Sequence, residues 1–192
     1  MVGVVSDSPE AWRPRCPTTA EAQSRAEPGS FTVTLADRRS TLLVEQIDQL
    51  RAAYRAAQIR LPFHTTAICV LPDHLHAVWT LPHGDSDYAL RWSLIKSQFS
   101  RRLPGGARCS SQLRKREKGI WQRRYWEHQI RDGTDLQRHV DYLHYNPVKH
   151  GWCARAADWP YSSFHRFVQQ GLLPADWGGD AVRLDLLAGE RN

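Results

Sequence analysis

The sequence has no long apolar run: its longest, Ala67 to Leu71, is about a quarter of the length a membrane-spanning helix requires. The first residues, including Ser6, Asp7, Pro9, Glu10, Arg13 and Arg15, contain no apolar stretch followed by a cleavage site. Cys16, Cys69, Cys109 and Cys153 are scattered without any Cys-x-x-Cys spacing, which excludes a zinc ribbon and a disulfide framework and leaves free thiols. Internal repeats and low-complexity tracts are absent. A cytoplasmic protein with no membrane partner is expected, and 192 residues suffice for one domain with tails.

Acidic residues are scarce in one segment. From Arg91 to Arg131 twelve basic side chains face only Glu117 and Glu127, a larger surplus than the whole chain's net +6. Solvated helices normally mix signs, whereas a one-signed, arginine-rich stretch suits a polyphosphate partner. Nucleic acid is the expected ligand, and a nucleoid-associated location follows from it.

What is present reads as alternating elements. Residues 1–29, with Pro9, Pro14, Pro17, Pro28 and Gly29, form an expected flexible arm. Phe31 to Leu35 alternates as a strand with Phe31, Val33 and Leu35 inward, and Ser40 precedes a helical spacing of Leu43, Ile47, Leu50 and Tyr54 that predicts a helix ending near Gln58. Ala67–Leu71 reads as a strand covered on both faces, and after Pro72-Asp73 the chain returns as a strand over His74–Leu81. Asp87 caps a second helix with an apolar stripe of Tyr88, Trp92, Ile95 and Phe99, leaving Arg91, Lys96, Ser97 and Arg101 near the exposed side. Pro104–Gly119 reads as a mobile basic loop, and Ile120–Ile130 as a further strand. Thr134 and Gln137 have capping-box spacing for a third helix from Asp135 to about Asn146, stopped by Pro147.

This succession predicts an α+β domain over residues 30–178. Its architecture is a ferredoxin-like split βαβ sandwich: an antiparallel four-stranded sheet with helices on one face and an added C-terminal helix. Trp159, Tyr161, Phe164, Phe167 and Trp177 supply an aromatic extension, and the chain frays over 179–192.

Two features carry chemistry. His74 and His76, two apart on a strand, project from one face as a pair of metal donors suited to Mg²⁺, Mn²⁺ or Zn²⁺ according to the third ligand. On the third helix Leu136, Val140 and Leu143 face the sheet, Tyr142 and Asn146 sit together on the flank with His139 between them, and Tyr145 points nearly opposite the core. Tyr142 therefore has a path to the histidine face and Tyr145 has none. A phenol is a weak nucleophile at neutral pH, but it can conserve a cleaved strand's energy as a phosphodiester. A divalent ion on His74, His76 and the Asn146 amide would stabilise charge on the scissile phosphate. The product would be a 5′-phosphotyrosine and a free 3′-OH.

The stretches Leu71-Pro72-Asp73-His74-Leu75-His76, Trp121-Gln122-Arg123-Arg124-Tyr125-Trp126-Glu127-His128 and Asp141-Tyr142-Leu143-His144-Tyr145-Asn146-Pro147-Val148-Lys149-His150-Gly151 resemble the signatures of the REP-associated tyrosine transposases. The later Asp158-Trp159-Pro160-Tyr161-Ser162-Ser163-Phe164-His165 also matches, so the likeness runs from about Gly29 to Trp177. These are relatives of single-tyrosine insertion-sequence transposases in the HUH nuclease group. The resemblance implies cleavage and joining of single-stranded DNA at REP hairpins beside a guide tetranucleotide, with Mg²⁺ or Mn²⁺. His74 and His76 then match the HUH pair, Tyr142 the nucleophile, and Asn146 the amide that replaces a glutamine.

Phosphate contacts are expected from Lys96, Arg101, Arg102, Arg123, Arg124 and Lys149, with Trp121 or Trp126 either stacking on an unpaired base or buried as core. Arg123 and Arg124 would point to opposite faces of a strand. Two competing readings remain: a non-catalytic hairpin-DNA-binding regulator, and a zinc hydrolase indifferent to Tyr142. A monomer is favoured over a homodimer.

Overall fold

Alternation along the strands decides the architecture. In the computed structural model, which describes residues 28–178, four strands are joined by helices. They are β1 (Gly29–Thr34), β2 (His64–Val70), β3 (His74–Thr80) and β4 (Trp126–Gln129). The helices are α1 (Leu42–Glu45), α2 (Ile47–Arg60), α3 (Tyr88–Ser100), α4 (Ser110–Arg114), α5 (Gly133–Lys149) and α6 (Phe164–Gln169). The sheet order is β2-β3-β1-β4 with every neighbouring pair antiparallel, the expected split βαβ arrangement. Most of the expected arm and the expected frayed tail lie outside the described residues; Gly29 already belongs to β1.

Phe31, Val33, Leu75, Ala77 and Trp79 bury one sheet face against Leu50 and Tyr54 of α2 and Trp92, Ile95 and Phe99 of α3. The polar tips in this core are matched: Trp79 Nε1 donates to Tyr54 Oη, which bonds Thr65 Oγ1 at 2.7 Å. The opposite face presents Ala67, Cys69 and Val78 to Val140 and Leu143 of α5, with Trp159 beside them. Because side chains alternate, His74 and His76 share this second face with Val78. The added helix therefore covers the side of the sheet that α2 and α3 leave open.

The aromatic extension closes an edge. Val70 N donates to Tyr161 O and Ser163 N to Ile68 O, both at 2.8 Å, so residues 161–163 occupy the free side of β2. Tyr145, expected to point away from the core, is buried. The extension packs over it, with Gly178 so close that an added methyl would meet the Tyr145 ring at 3.7 Å.

Several boundaries move for identifiable reasons. The first helix breaks at Gln46 into α1 and α2 and runs on to Arg60, with Ser40 Oγ accepting from Leu42 N at 3.2 Å. Asp87 caps α3 as expected, accepting from Leu90 N at 2.8 Å. Arg91 is not exposed: its guanidinium is buried against the Asp85 carboxylate (2.6 Å) and the Pro62 carbonyl (2.9 Å). The basic segment 104–119, expected as a loop, has local structure of its own. It contains α4, and Lys118 Nζ donates to the carbonyls of Ser100, Arg101 and Leu103 at 2.7–2.9 Å, closing the end of α3. Of the strand expected over Ile120–Ile130 only β4 forms, with Trp121 bridging to Leu35 alone, so Arg123 and Arg124 do not lie on a strand. Asp132, rather than Thr134, caps α5 by accepting from Asp135 N at 2.8 Å. Pro147 does not stop α5. It lies in the last turn, where its missing N–H costs one bond, and the helix continues to Lys149. No helix among the described residues is long and apolar enough to cross a membrane.

Candidate active site

β3 and α5 bring five of the expected residues into one cluster. The rings of His74 and His76 lie 5.0 Å apart between centroids at 84°, and the His76 ring meets the Tyr142 ring at 5.6 Å and 86°. Asn146, one helical turn after Tyr142, donates its amide to the Tyr142 carbonyl at 3.0 Å. Lys149, two turns after Tyr142, places Nζ 3.5 Å from its hydroxyl and 5.0 Å from its ring centroid.

Each histidine is oriented from behind. His74 Nδ1 meets Asp73 Oδ1 at 2.7 Å, and Asp73 is held in turn by Arg38 at 2.9 Å. His76 Nδ1 meets Thr32 Oγ1 at 2.9 Å, a contact created because Thr32 is in register with His76 across β1 and β3. Engaging Nδ1 leaves the Nε2 atoms as the outward nitrogens. Burial pushes the pKa of both imidazoles below the ordinary histidine value, His76 strongly. Asp73 works against that shift at His74, while the neighbouring imidazoles reinforce it at His76. Both are neutral at neutral pH and their lone pairs are open to a cation.

The donor set fits a divalent ion. His76 Nε2 and Asn146 Oδ1 are both buried and neither makes a well-formed hydrogen bond among the described residues, although the Asn146 side chain lies close enough to His76 to oppose part of its pKa depression; a ligand shared by the two would satisfy both atoms. A third imidazole, His150, stands 5.2 Å from His74 between centroids, its own pKa lowered by burial. Composition and spacing gave His150 and Thr32 no distinction. Thr32 becomes visible only through the strand register, and His150 only through the curl of the chain after α5.

The expected phosphate contacts divide. Lys149 belongs to the cluster. Lys96 sits on α3, across the sheet from the histidines; it donates to Gln122 O at 3.0 Å between the rings of Trp121 and Tyr125, and burial lowers its pKa to about 8. Arg101 and Arg102 are exposed just beyond α3, and Arg124 is exposed ahead of β4. Arg123 is paired with Glu117 at 2.9 Å. Trp121 packs against the core, whereas Trp126 is exposed.

The chain is 50% identical over 152 residues to a protein of Haemophilus influenzae named as a REP-associated tyrosine transposase, covering 78% of this chain and 86% of that one. It is 48% identical over 161 residues to the REP-associated tyrosine transposase of Escherichia coli K12, covering 84% and 89%. The chain belongs to the REP-associated tyrosine transposases. A solved REP-associated tyrosine transposase bound to a REP hairpin superposes with a TM-score of 0.72 at 45% identity, covering 88% of this chain and 93% of that one. No family model matches the chain. This transposase thus shares its fold with that hairpin-bound relative.

Proposed function

We propose that this transposase cleaves and rejoins single-stranded DNA at REP-type hairpins flanked by a guide tetranucleotide, through a 5′-phosphotyrosine on Tyr142. The observation that carries this reading is the approach of the Tyr142 phenol to the His76 imidazole, with the Lys149 ammonium beside the phenol oxygen. A relative bound to a REP hairpin supports the choice of DNA.

Tyr142 Oη attacks the scissile phosphorus and the bond from phosphorus to the 3′ oxygen breaks, so the released strand carries a free 3′-OH. The phenol proton leaves as the new P–O bond forms, and a proton is taken up by the departing oxygen. Lys149 holds positive charge at the phenol oxygen, which favours the developing anion in attack and receives it again when the link is reversed. His74, His76 and Asn146 would hold Mg²⁺ or Mn²⁺, whose chemistry is to polarise the scissile phosphate. Asp73 and Thr32 engage Nδ1 of the two imidazoles, which would leave both Nε2 atoms for that ion. Tyr142 comes from α5 and the two histidines from β3, so the nucleophile and the imidazoles approach from different elements.

Labelled hairpin DNA incubated with the protein and Mn²⁺, then run on a denaturing gel, tests the reading. A protein-linked band lost in Tyr142→Phe and kept in Tyr145→Phe is the expected result. Binding without a covalent band in wild type, under any metal, would replace the enzyme with a hairpin-binding regulator. Cleavage that survives Tyr142→Phe would favour a zinc hydrolase instead.

A further inference from the structure

The sheet face that carries His76 continues beyond β1. His76 stands opposite Thr32, and Thr32 opposite Trp126 on β4. With strands about 4.8 Å apart, Trp126 is roughly 10 Å from His76 along this row. His128, two residues on, shares the face, and α5 contributes His139 one turn before Tyr142.

These three rings run nearly parallel. His128 and His139 lie 4.5 Å apart at 14°, and Trp126 lies 5.8 Å from His128 at 5° and 6.1 Å from His139 at 18°. The imidazoles are fixed by Asp135, which is buried. His128 Nε2 donates to its Oδ2 at 2.8 Å, and His139 Nδ1 donates to its carbonyl at 2.9 Å. Donor atoms of His128, Asp135 and His139 are close enough to share a cation. However, the Arg131 amide and guanidinium both occupy Asp135 Oδ2 at 3.1 Å, so the carboxylate is already neutralised by protein donors. Its function here is to hold the rings.

Trp126 is 52% exposed and packs in neither core cluster, an unusual position for so large an apolar side chain. Arg124, two residues before it, is an exposed cation, and Arg131, after β4, is exposed while ion-paired to Asp135. A rigid indole with cations nearby has the requirements of a nucleobase and its phosphates.

We propose that Trp126, backed by His128 and His139, is a stacking platform for one unpaired base of the DNA strand that enters the Tyr142 site. This rests on the reading of Tyr142 as a DNA-strand transferase. The base stacks on the indole within a few nucleotides of the scissile phosphate and sets which phosphate reaches Tyr142.

The test compares two hairpins with one stem, one blunt and one with a single-stranded flank, by fluorescence anisotropy with wild type, Trp126→Ala and Trp126→Phe. Trp126→Ala should weaken binding of the flanked hairpin about tenfold and leave the blunt one within about twofold, with Trp126→Phe close to wild type. 2-Aminopurine placed in turn along the flank should be quenched by wild type at one position and not by Trp126→Ala. Equal losses on both hairpins, or none on either, overturn the platform. If wild type binds the flanked hairpin and forms the Tyr142 adduct while Trp126→Ala binds it equally well, the platform alone fails. If wild type binds neither hairpin, both readings fall together.

Discussion

Lys149 Nζ lies 3.5 Å from Tyr142 Oη, the two side chains meeting from positions seven apart on α5. Two helical turns separate them, so the long lysine stem must fold back along the helix and over the phenol ring, 5.0 Å from its centroid. A residue chosen from sequence as a phosphate contact thus stands first against the proposed nucleophile.

Replacing Lys149 with Met should slow formation of the covalent adduct by about 10²-fold, the scale of a positioned charge or proton-transfer group. Hairpin affinity should fall far less, because only one cation is lost. Single-turnover adduct kinetics beside equilibrium binding separate the two effects, and Lys149→Arg should recover part of the rate. Equal losses in rate and affinity would return Lys149 to the role of a simple phosphate contact.

Thr32→Val removes the hydroxyl that holds His76 Nδ1 while keeping the strand and its packing. Mn²⁺ affinity, read from the metal dependence of adduct formation and from paramagnetic broadening of bound Mn²⁺, should fall by roughly 10- to 100-fold. The thermal midpoint should shift little. Unchanged metal dependence would show that His76 is oriented by packing alone.

Lys96 is a charge in a partly desolvated setting, and its lowered pKa has a consequence for stability. The unfolded lysine binds its proton up to about pH 10.4, and the folded one releases it near 8. Between those values the unfolded state holds more protons, so this group's contribution to stability rises with pH from about 8 to 10.4 and is lost as pH falls through 8. Lys96→Met should therefore flatten the rise in urea midpoint over that window relative to wild type. If the two proteins keep parallel profiles, Lys96 is solvated and free for DNA.

Lys118→Met strips three carbonyls at the end of α3 of their shared donor. About 2 kcal/mol of stability should be lost, visible in urea unfolding, with hydrogen exchange rising first in α3's last turn and residues 104–119. A change within about 0.5 kcal/mol would mean the segment contributes nothing to the folded core.

Much of the fold was legible because alternation and helical spacing are local. Phe31-Val33-Leu35 faces the core as its period demands, and Leu136, Val140 and Leu143 place α5 on the sheet with Tyr142 at its flank. Pro147 misled because sequence reads a proline as a stop, whereas in a last turn it removes only one bond. Tyr145 misled because a helical wheel assumes one buried face, and α5 has two: the sheet on one side and the extension that includes Gly178 on the other. In the basic segment, charge and glycine gave no sign of α4 or of Lys118 serving the open carbonyls of α3.

The sequence by itself determined the element types, the histidine pair on one strand face, and the tyrosine and amide one turn apart on a helix, since these depend on periods of 2 and 3.6 residues. Only the tertiary structure decided which distant groups meet them. Thr32 reaches His76 through antiparallel register, Lys96 is withdrawn from the site by lying across the sheet, and Trp126 joins the histidine face from the far edge. Register and layer are set by the summed burial of two cores, which no short stretch of residues encodes.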